Sequence, residues 1–255
     1  MEDWEKSIKK NTKVFFFETP TNPMLEIIDI WKLSQIAKEN NIKVIIDNVF
    51  ATPLRQRPME FGADIVIYSA TKHIDGQGRC LGGVILGDAE FIENKLHDYL
   101  KHTGPALSPF NAWIMMKGLE TLSLRTDRQI DSAKKVADYL LDTENTNGVI
   151  YPGHKSHPEY GIAQKQMTGG GPIVTFKVNG GKKEAFDFLN KLALIKISNN
   201  LGDARTLITH PKTTTHRNLS EAECMKLGIT DSTLRMSLGL EDIDDIIADI
   251  DKSIR

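Results

Sequence analysis

The sequence lacks most of the features that mark secreted, metal-binding or membrane-spanning proteins. Its 255 residues include only two cysteines, Cys80 and Cys224, which lie far apart and share no metal-ligand spacing. Two reduced thiols are typical of an intracellular protein, so a cytoplasmic location is expected. The seven histidines form no ligand motif, and no metal site is expected. No apolar run is long enough to form a transmembrane helix.

An excess of charge of either sign is also missing. Lys and Arg together number 32 and Asp and Glu number 34, which gives a formal net charge of −2. This balance indicates neither a surface for nucleic acid nor one for a membrane. A chain of 255 residues can bury one large core, or one core and a smaller domain.

Apolar segments at residues 13–17, 43–47 and 64–68 are predicted to be β-strands. A helical pattern that begins at Asp29 lies between the first two segments. Strand, helix and strand at this spacing favour a parallel sheet that is covered on both faces. The first part of the chain is therefore predicted to have an α/β fold.

Two of the predicted strands lead into residues that can carry chemistry. Asp47 ends the second strand, and Lys72 closely follows the third. In α/β sheets, ligands bind at the carboxyl ends of the strands. A lysine at that edge is partly desolvated, which lowers its pKa and makes the neutral amine available for a Schiff base. An aspartate that binds a pyridinium nitrogen and a lysine that forms an imine are the pair that a pyridoxal phosphate site requires.

Each of these residues also has a plainer interpretation when it is taken alone. Asp47 is more simply a turn or N-cap aspartate, and Lys72 a surface lysine at a strand end. The sequence around both residues favours the first interpretation. Residues 46–53 (IDNVFATP) and 68–79 (YSATKHIDGQGR) together resemble the cystathionine gamma-synthase family, which is the Cys/Met-metabolism group of pyridoxal-phosphate enzymes.

Within this family, three further segments most resemble the O-succinylhomoserine sulfhydrylases. They are residues 73–80, 103–111 and 197–203. The resemblance continues to the C-terminus and covers essentially the whole chain. Family members carry a further N-terminal stretch, with a phosphate loop and residues lent to a neighbouring subunit, for which this chain shows no counterpart. A sheet without its early strands is expected to expose edges and apolar surface.

The resemblance implies the large domain of a fold type I PLP-dependent transferase, with a mainly parallel sheet, in residues 1–130. A smaller α+β domain would follow in residues 131–255. The boundary falls inside a long helix predicted over residues 110–141, with a soft break at Gly118. Five apolar residues of this helix are predicted to be core residues: Met115, Met116, Leu119, Leu122 and Leu124.

The resemblance also implies which residues would bind the cofactor, pyridoxal 5'-phosphate. Lys72 would carry it covalently and afterwards move protons. Asp47 would pair with the pyridinium nitrogen. Ser69 and Thr71 match the hydroxyls that bind the phosphate group in the family.

Substrate binding is implied for three further residues. Arg235 matches the arginine that binds the substrate α-carboxylate, a task for which a planar fork of donors is well suited. Asn22 and the backbone around Asn200 match additional carboxylate contacts. Without the resemblance, Arg235 is more simply explained as a surface arginine on an edge strand.

The reaction that the resemblance implies is a γ-replacement on an O-acylated homoserine. With O-succinylhomoserine and sulfide as substrates, the products would be homocysteine and succinate. Cystathionine synthesis, or γ-elimination from methionine or cystathionine, would use the same residues. The chain would work as a homo-oligomer or with a separately encoded N-terminal piece. The alternatives are an inactive truncated remnant, half of a split enzyme without activity alone, or a binding module without cofactor.

Overall fold

A computed structural model describes residues 2–255 of the chain, which form two β-sheets with helices around them. The first sheet has four strands in the order β1-β2-β3-β4. They are β1 (Val14–Glu18), β2 (Lys43–Asp47), β3 (Ile65–Ser69) and β4 (Gly83–Leu86). The first three strands are parallel, and β4 is antiparallel to β3. The predicted α/β fold with a mainly parallel sheet is therefore confirmed.

Helices of the first part cover this sheet and lead away from it. They are α1 (Glu2–Lys6), α2 (Ile30–Glu39), α3 (Thr52–Arg55), α4 (Ala89–Phe91), a π-helical turn (Ile92–Leu96), α5 (His97–Thr103), α6 (Pro109–Glu120) and α7 (Leu122–Asp142). Asp29 caps α2 by accepting a hydrogen bond from the Lys32 amide at 3.0 Å. Ile30, Leu33 and Ala37 of α2 are buried in the same core as the strands.

The second sheet has five strands in the order β5-β6-β9-β8-β7. They are β5 (Thr146–Ile150), β6 (Ile173–Val178), β7 (Lys196–Ile197), β8 (Leu207–Thr209) and β9 (Thr233–Ser237). Its helices are α8 (Tyr160–Gln166), α9 (Lys182–Lys191), α10 (Glu221–Lys226) and α11 (Ile243–Ile254). All neighbours in this sheet are antiparallel except β7 and β8. A second hydrophobic core forms between this sheet, α7, α9 and α11. The domain boundary near residue 130 stays a prediction.

The long helix predicted over residues 110–141 is two helices, and they separate at Thr121 rather than at Gly118. Gly118 lies inside α6, where the helix approaches the turn after β3 very closely. A β-carbon at this position would lie 2.2 Å from the carbonyl oxygen of Ile74. The glycine is therefore needed for close packing of a helix on a loop, and the prediction that it breaks the helix was wrong.

The prediction of core residues in α6 and α7 was wrong for three of the five. Met115 and Leu122 are buried, but Met116, Leu119 and Leu124 are exposed. Helix α6 has apolar residues around its whole circumference, and only one face packs against the first sheet and its loops. Phe110 and Trp113 of the same helix are also exposed, with 66% and 55% of their surface accessible. Apolar content alone could not tell which face is covered.

Neither a membrane-spanning helix nor a metal cluster occurs in the part of the chain that the structure describes. Each helix in residues 2–255 is too short or too polar to cross a bilayer. In the same range, no three His, Cys, Asp or Glu side chains are grouped so that they could hold a metal ion.

The close packing at Gly118 can be tested by substitution. Gly118→Ala should lower the free energy of unfolding by about 1–3 kcal/mol, because the new methyl group meets a backbone carbonyl that cannot rotate away. Gly161→Ala in α8 is the matched control, since a β-carbon there has open space. It should leave stability unchanged or raise it by at most about 1 kcal/mol. Urea unfolding curves measure both, and equal midpoints for the two variants would contradict the packing described.

Candidate active site

The carboxyl ends of the three parallel strands lie along one edge of the first sheet. Glu18 ends β1, Asp47 ends β2 and Ser69 ends β3, and Glu18 lies directly opposite Asp47 in the strand register. Asp47 is half-buried, and its carboxylate accepts a hydrogen bond from the Val49 amide at 3.0 Å. Burial raises the pKa of Asp47, and the bond from Val49 partly opposes this. This edge is where an α/β sheet binds its ligands.

Lys72 lies in a tight turn that follows β3 at the same edge. Its amide donates to the carbonyl of Ser69 at 3.2 Å, and its carbonyl accepts from the amide of Gly76 at 2.8 Å. The side-chain amine donates to Oδ1 of Asn200 at 2.5 Å. Burial lowers the pKa of Lys72, and the positive charge of Arg235 lowers it further. The neutral form of this amine is therefore more accessible than that of an ordinary lysine.

The two hydroxyl residues predicted to bind a phosphate group are placed on either side of Ala70. Ser69 is half-buried at the end of β3. The hydroxyl of Thr71 accepts a hydrogen bond from the amide of Gly82 at 3.2 Å and contacts its carbonyl at 3.4 Å. Thr71 thus holds the lysine turn against the start of β4. The role of both residues in phosphate binding stays a prediction.

Arg235 is buried in β9, with only 2% of its surface accessible. Its Nη1 donates to Oδ1 of Asn22 at 2.8 Å, and its Nη2 donates to the carbonyls of Asn199 at 3.0 Å and Asn200 at 3.3 Å. The guanidinium carbon lies 5.8 Å from the ring centre of Phe50. Burial lowers the pKa of Arg235 to about 10, and the charge of Glu18 opposes this effect.

One donor of Arg235 has no protein partner. Its Nε is buried without a hydrogen-bond acceptor in residues 2–255. A buried cation with a donor left over is the environment that an anionic ligand group completes. The structure therefore brings Arg235, Asn22, Asn200 and Lys72 into one hydrogen-bonded group beside the strand ends. It does not bear out Arg235 as a surface residue of an edge strand, because β9 is paired on both sides.

Glu18 is a residue of this site that the sequence analysis did not single out. Its Oε1 accepts a hydrogen bond from the Asn22 amide at 2.6 Å. Burial raises the pKa of Glu18 to about 7; the bond from Asn22 opposes this rise, the charge of Asp47 adds to it, and Arg235 opposes it. The signal that pointed to Asp47, an acidic residue directly after a buried strand, is present at Glu18 as well.

Comparison with known proteins finds, over the whole chain, the family that the sequence motifs resemble. A family model for Cys/Met metabolism PLP-dependent enzymes matches residues 1–255. The O-succinylhomoserine sulfhydrylase of Mycobacterium tuberculosis is 48% identical over 258 residues, which cover 100% of this chain and 64% of that protein. An L-methionine gamma-lyase of Fusobacterium nucleatum is 40% identical over 256 residues, which cover 100% of this chain and 65% of the lyase.

A solved structure agrees with these sequence relatives. The crystal structure of metB from Corynebacterium glutamicum matches with a TM-score of 0.95 and 35% sequence identity, over 99% of this chain and 65% of that one. The chain thus spans about 64% of the length of the M. tuberculosis relative. Because the family model matches every residue, the chain belongs to the Cys/Met metabolism family of PLP-dependent enzymes.

Proposed function

We propose that this chain provides the lysine and the carboxylate-binding arginine of an enzyme that performs γ-replacement on an O-acylated homoserine. The observation that carries the proposal is the bonded group at the strand ends, in which the half-buried amine of Lys72 and the buried guanidinium of Arg235 both contact Asn200. The proposed substrates are O-succinylhomoserine and sulfide, and the products are homocysteine and succinate. The 48% identity to an O-succinylhomoserine sulfhydrylase supports this choice.

The residues of the site fit the cofactor of the family. Lys72 would hold pyridoxal 5'-phosphate through its amine, whose lowered pKa suits attack on an aldehyde. Asp47 would bind the ring nitrogen, and Ser69 and Thr71 would contribute to phosphate binding. When bound, the cofactor supplies an electron sink for the negative charge that develops at the α-carbon of the substrate.

Lys72 is the proposed proton carrier of the reaction. Its neutral amine would remove the proton from the α-carbon and then help to remove a proton from the β-carbon, so that succinate can leave from the γ-carbon. Its hydrogen bond to Asn200 restricts where the amine can lie. Succinate departs with the electron pair of the bond between its oxygen and the γ-carbon, and sulfide then forms the new bond to the γ-carbon.

Arg235 is the proposed binding residue for the α-carboxylate of the substrate. Two sides of its guanidinium are already fixed by Asn22 and by the carbonyls of Asn199 and Asn200. A fixed fork loses little conformational entropy when it binds a carboxylate. Asn22 and the Asn200 backbone border the same place and would add contacts to the substrate.

The chain spans only part of the length of its relatives, and this leads to a second proposal. We propose that the chain works as a homo-oligomer, or together with a polypeptide that supplies the part of these relatives that it does not span. The alternative is a chain that binds no cofactor and has no activity alone. A γ-lyase is the alternative chemistry, which the 40% identity to an L-methionine gamma-lyase favours.

Covalent trapping tests whether Lys72 carries the cofactor. With added pyridoxal phosphate, the protein should show a near-visible absorbance band, and borohydride should fix the cofactor to the peptide that contains Lys72. Lys72→Ala should lose both signals, whereas Lys38→Ala, which removes an exposed lysine of α2, should keep them. Equal trapping in Lys72→Ala and the unmodified chain would rule out the assignment.

The same preparation distinguishes the two chemistries by their products. With O-succinylhomoserine and sulfide, γ-replacement yields homocysteine, whereas elimination yields a 2-oxo acid whether or not sulfide is present. A protein that traps the cofactor but forms neither product would support the alternative of a part that needs a second segment.

Substitution of Arg235 tests its role in binding the carboxylate. Arg235→Lys keeps the charge but loses the planar fork, so the dissociation constant for the amino-acid substrate should rise roughly 10- to 100-fold, as expected for loss of a charge-assisted hydrogen bond. Arg217→Lys, at an exposed position, is the matched control and should not change it. Calorimetric titration of the cofactor-loaded protein measures both. Unchanged affinity in Arg235→Lys would contradict the role.

The two neighbouring carboxyl groups of the site, Glu18 and Asp47, predict a pH effect on stability. The folded protein keeps the Glu18 proton up to about pH 7, because burial raises the pKa of this carboxyl from its ordinary value of 4.5. The free energy of unfolding should therefore fall as the pH rises through this interval, because ionisation of Glu18 opposes folding. Glu18→Gln removes the ionisable group and keeps an acceptor for the Asn22 amide.

Relative to the unmodified protein, Glu18→Gln should gain about 1–3 kcal/mol of unfolding free energy between pH 4.5 and 7.5. Glu39→Gln, at the exposed end of α2, is the control and should show a constant difference. Chemical unfolding at a series of pH values gives both curves. If the difference in unfolding free energy between Glu18→Gln and the unmodified protein did not change with pH, the pKa of this carboxyl would not be raised.

A further inference from the structure

Arg125, in the first turns of α7, is a buried cation that has no carboxylate partner among residues 2–255. Only 6% of its surface is accessible. In the described part of the chain, its hydrogen bonds all go to neutral oxygens. Burial lowers the pKa of Arg125, Arg79 adds to this and Asp75 opposes it. A buried ion costs several kcal/mol unless its donors are bonded, so the acceptors of this guanidinium have to be well placed.

Those acceptors belong to two segments that Arg125 joins. On one side, Nη1 donates to the carbonyl of His73 at 2.8 Å and Nη2 contacts that of Ile74 at 3.4 Å. These are the two residues that directly follow Lys72. On the other side, Nη2 donates to the carbonyl of Gly118 at 2.7 Å and Nε donates to the Thr121 hydroxyl at 3.1 Å. Arg125 therefore fastens the lysine turn to the junction of α6 and α7.

Two glycines show that the guanidinium of Arg125 and the turn it binds are tightly packed. A β-carbon on Gly76 would lie 2.1 Å from Nη1 of Arg125, and one on Gly118 would lie 2.2 Å from the Ile74 carbonyl oxygen. The turn also has a positive φ of 72° at Gly76, a conformation that other residues adopt at a cost. The backbone that carries Lys72 is thus held by close contact with α6 and by a charged group of α7.

The same helix holds the loop that contacts the amine of Lys72. Gln129, one turn after Arg125, is fully buried, and its Nε2 donates to the carbonyl of Asp203 at 2.8 Å. Asp203 follows Asn200, whose Oδ1 accepts from the Lys72 amine. Between them, Gly202 lies so close to the lysine turn that a β-carbon would be 2.7 Å from the His73 amide nitrogen. Helix α7 therefore sets the spacing between the lysine backbone and the partner of its amine.

We propose that Arg125 is a positioning residue that fixes the amine of Lys72 by binding the carbonyls of His73 and Ile74. It contacts neither substrate nor cofactor and acts only through the lysine turn. This inference rests on the proposed role of Lys72 as the reacting amine. The pKa of the amine can be measured without cofactor or substrate, so the result is independent of whether the proposed reaction takes place.

Loosening the turn should return the Lys72 amine toward water. Its pKa is lowered by burial first and by Arg235 second, and the charged group that acts on it stays in place when Arg125 is changed. With Arg125→Met, the pKa of Lys72 should rise toward its ordinary value of 10.5. Arg125→Lys should shift it in the same direction by less, because a lysine keeps the charge but reaches fewer carbonyls.

Competitive acetylation with trace acetic anhydride across the alkaline range, followed by mass spectrometry of the Lys72 peptide, measures this pKa. Arg128→Met is the matched control, since Arg128 lies on the same helix and donates to the Glu241 carbonyl instead. It should leave the pKa of Lys72 unchanged. If Arg125→Met does not fold, Arg125→Lys gives the answer alone, and any shift there reflects geometry rather than charge.

Two results would overturn the proposal. One is an unchanged Lys72 pKa in folded Arg125→Lys and Arg125→Met proteins. The other is a shift in Arg128→Met as large as that in Arg125→Met, which would show a general loosening of α7. A shift confined to the Arg125 variants supports the role of Arg125 in positioning the amine.

Discussion

The site depends on one constraint, which is the burial of the Arg235 guanidinium. An ionised group with 2% of its surface accessible has to be bonded on most sides, because its desolvation costs several kcal/mol. Its partners come from the loop after β1, through Asn22, and from the loop after β7, through Asn199 and Asn200. These segments belong to different sheets. This hydrogen-bonded group around Arg235 therefore forms only when both halves of the chain are folded against each other.

The burial of Arg235 also affects Lys72. Asn200 gives its carbonyl to Arg235 and its side-chain oxygen to the Lys72 amine, so the two cations share one residue. The charge of Arg235 also lowers the pKa of Lys72. A displacement of Arg235 would therefore act on both the position of the amine and its pKa, which burial lowers first and Arg235 second. Glu18 acts on this arrangement from the sheet edge, since it binds the Asn22 amide and its charge acts on Arg235.

Much of the fold was predictable because its strands are short apolar runs with clear ends. The segment at 13–17 is β1 to within one residue, and the prediction for 43–47 matches β2. Asp47 and Lys72 could be found because they follow such runs. The bond between Lys72 and Asn200 could not be predicted, since it joins residues 128 positions apart. Nor could the exposure of Met116, because an apolar pattern does not show which neighbours cover a helix face.

The sequence of helix α7 contains a signal that is missed when only its apolar residues are considered: polar residues on its buried face. Its buried face runs through Arg125, Gln129, Ala133, Val136 and Leu140, at spacings of three and four residues. The last three pack into the core of the second sheet. The first two are polar residues at positions that periodicity assigns to the core.

A polar residue at such a position has to find partners inside the protein, because water cannot reach it. Here the partners are backbone carbonyls of the two loops that hold Lys72 and Asn200. A rigid helix with its apolar part in one core and its polar part against two site loops fixes the spacing between those loops. Polar residues in the apolar stripe of a helix are therefore candidates for groups that position a site, and their partners can be sought among the loops that carry its reacting side chains.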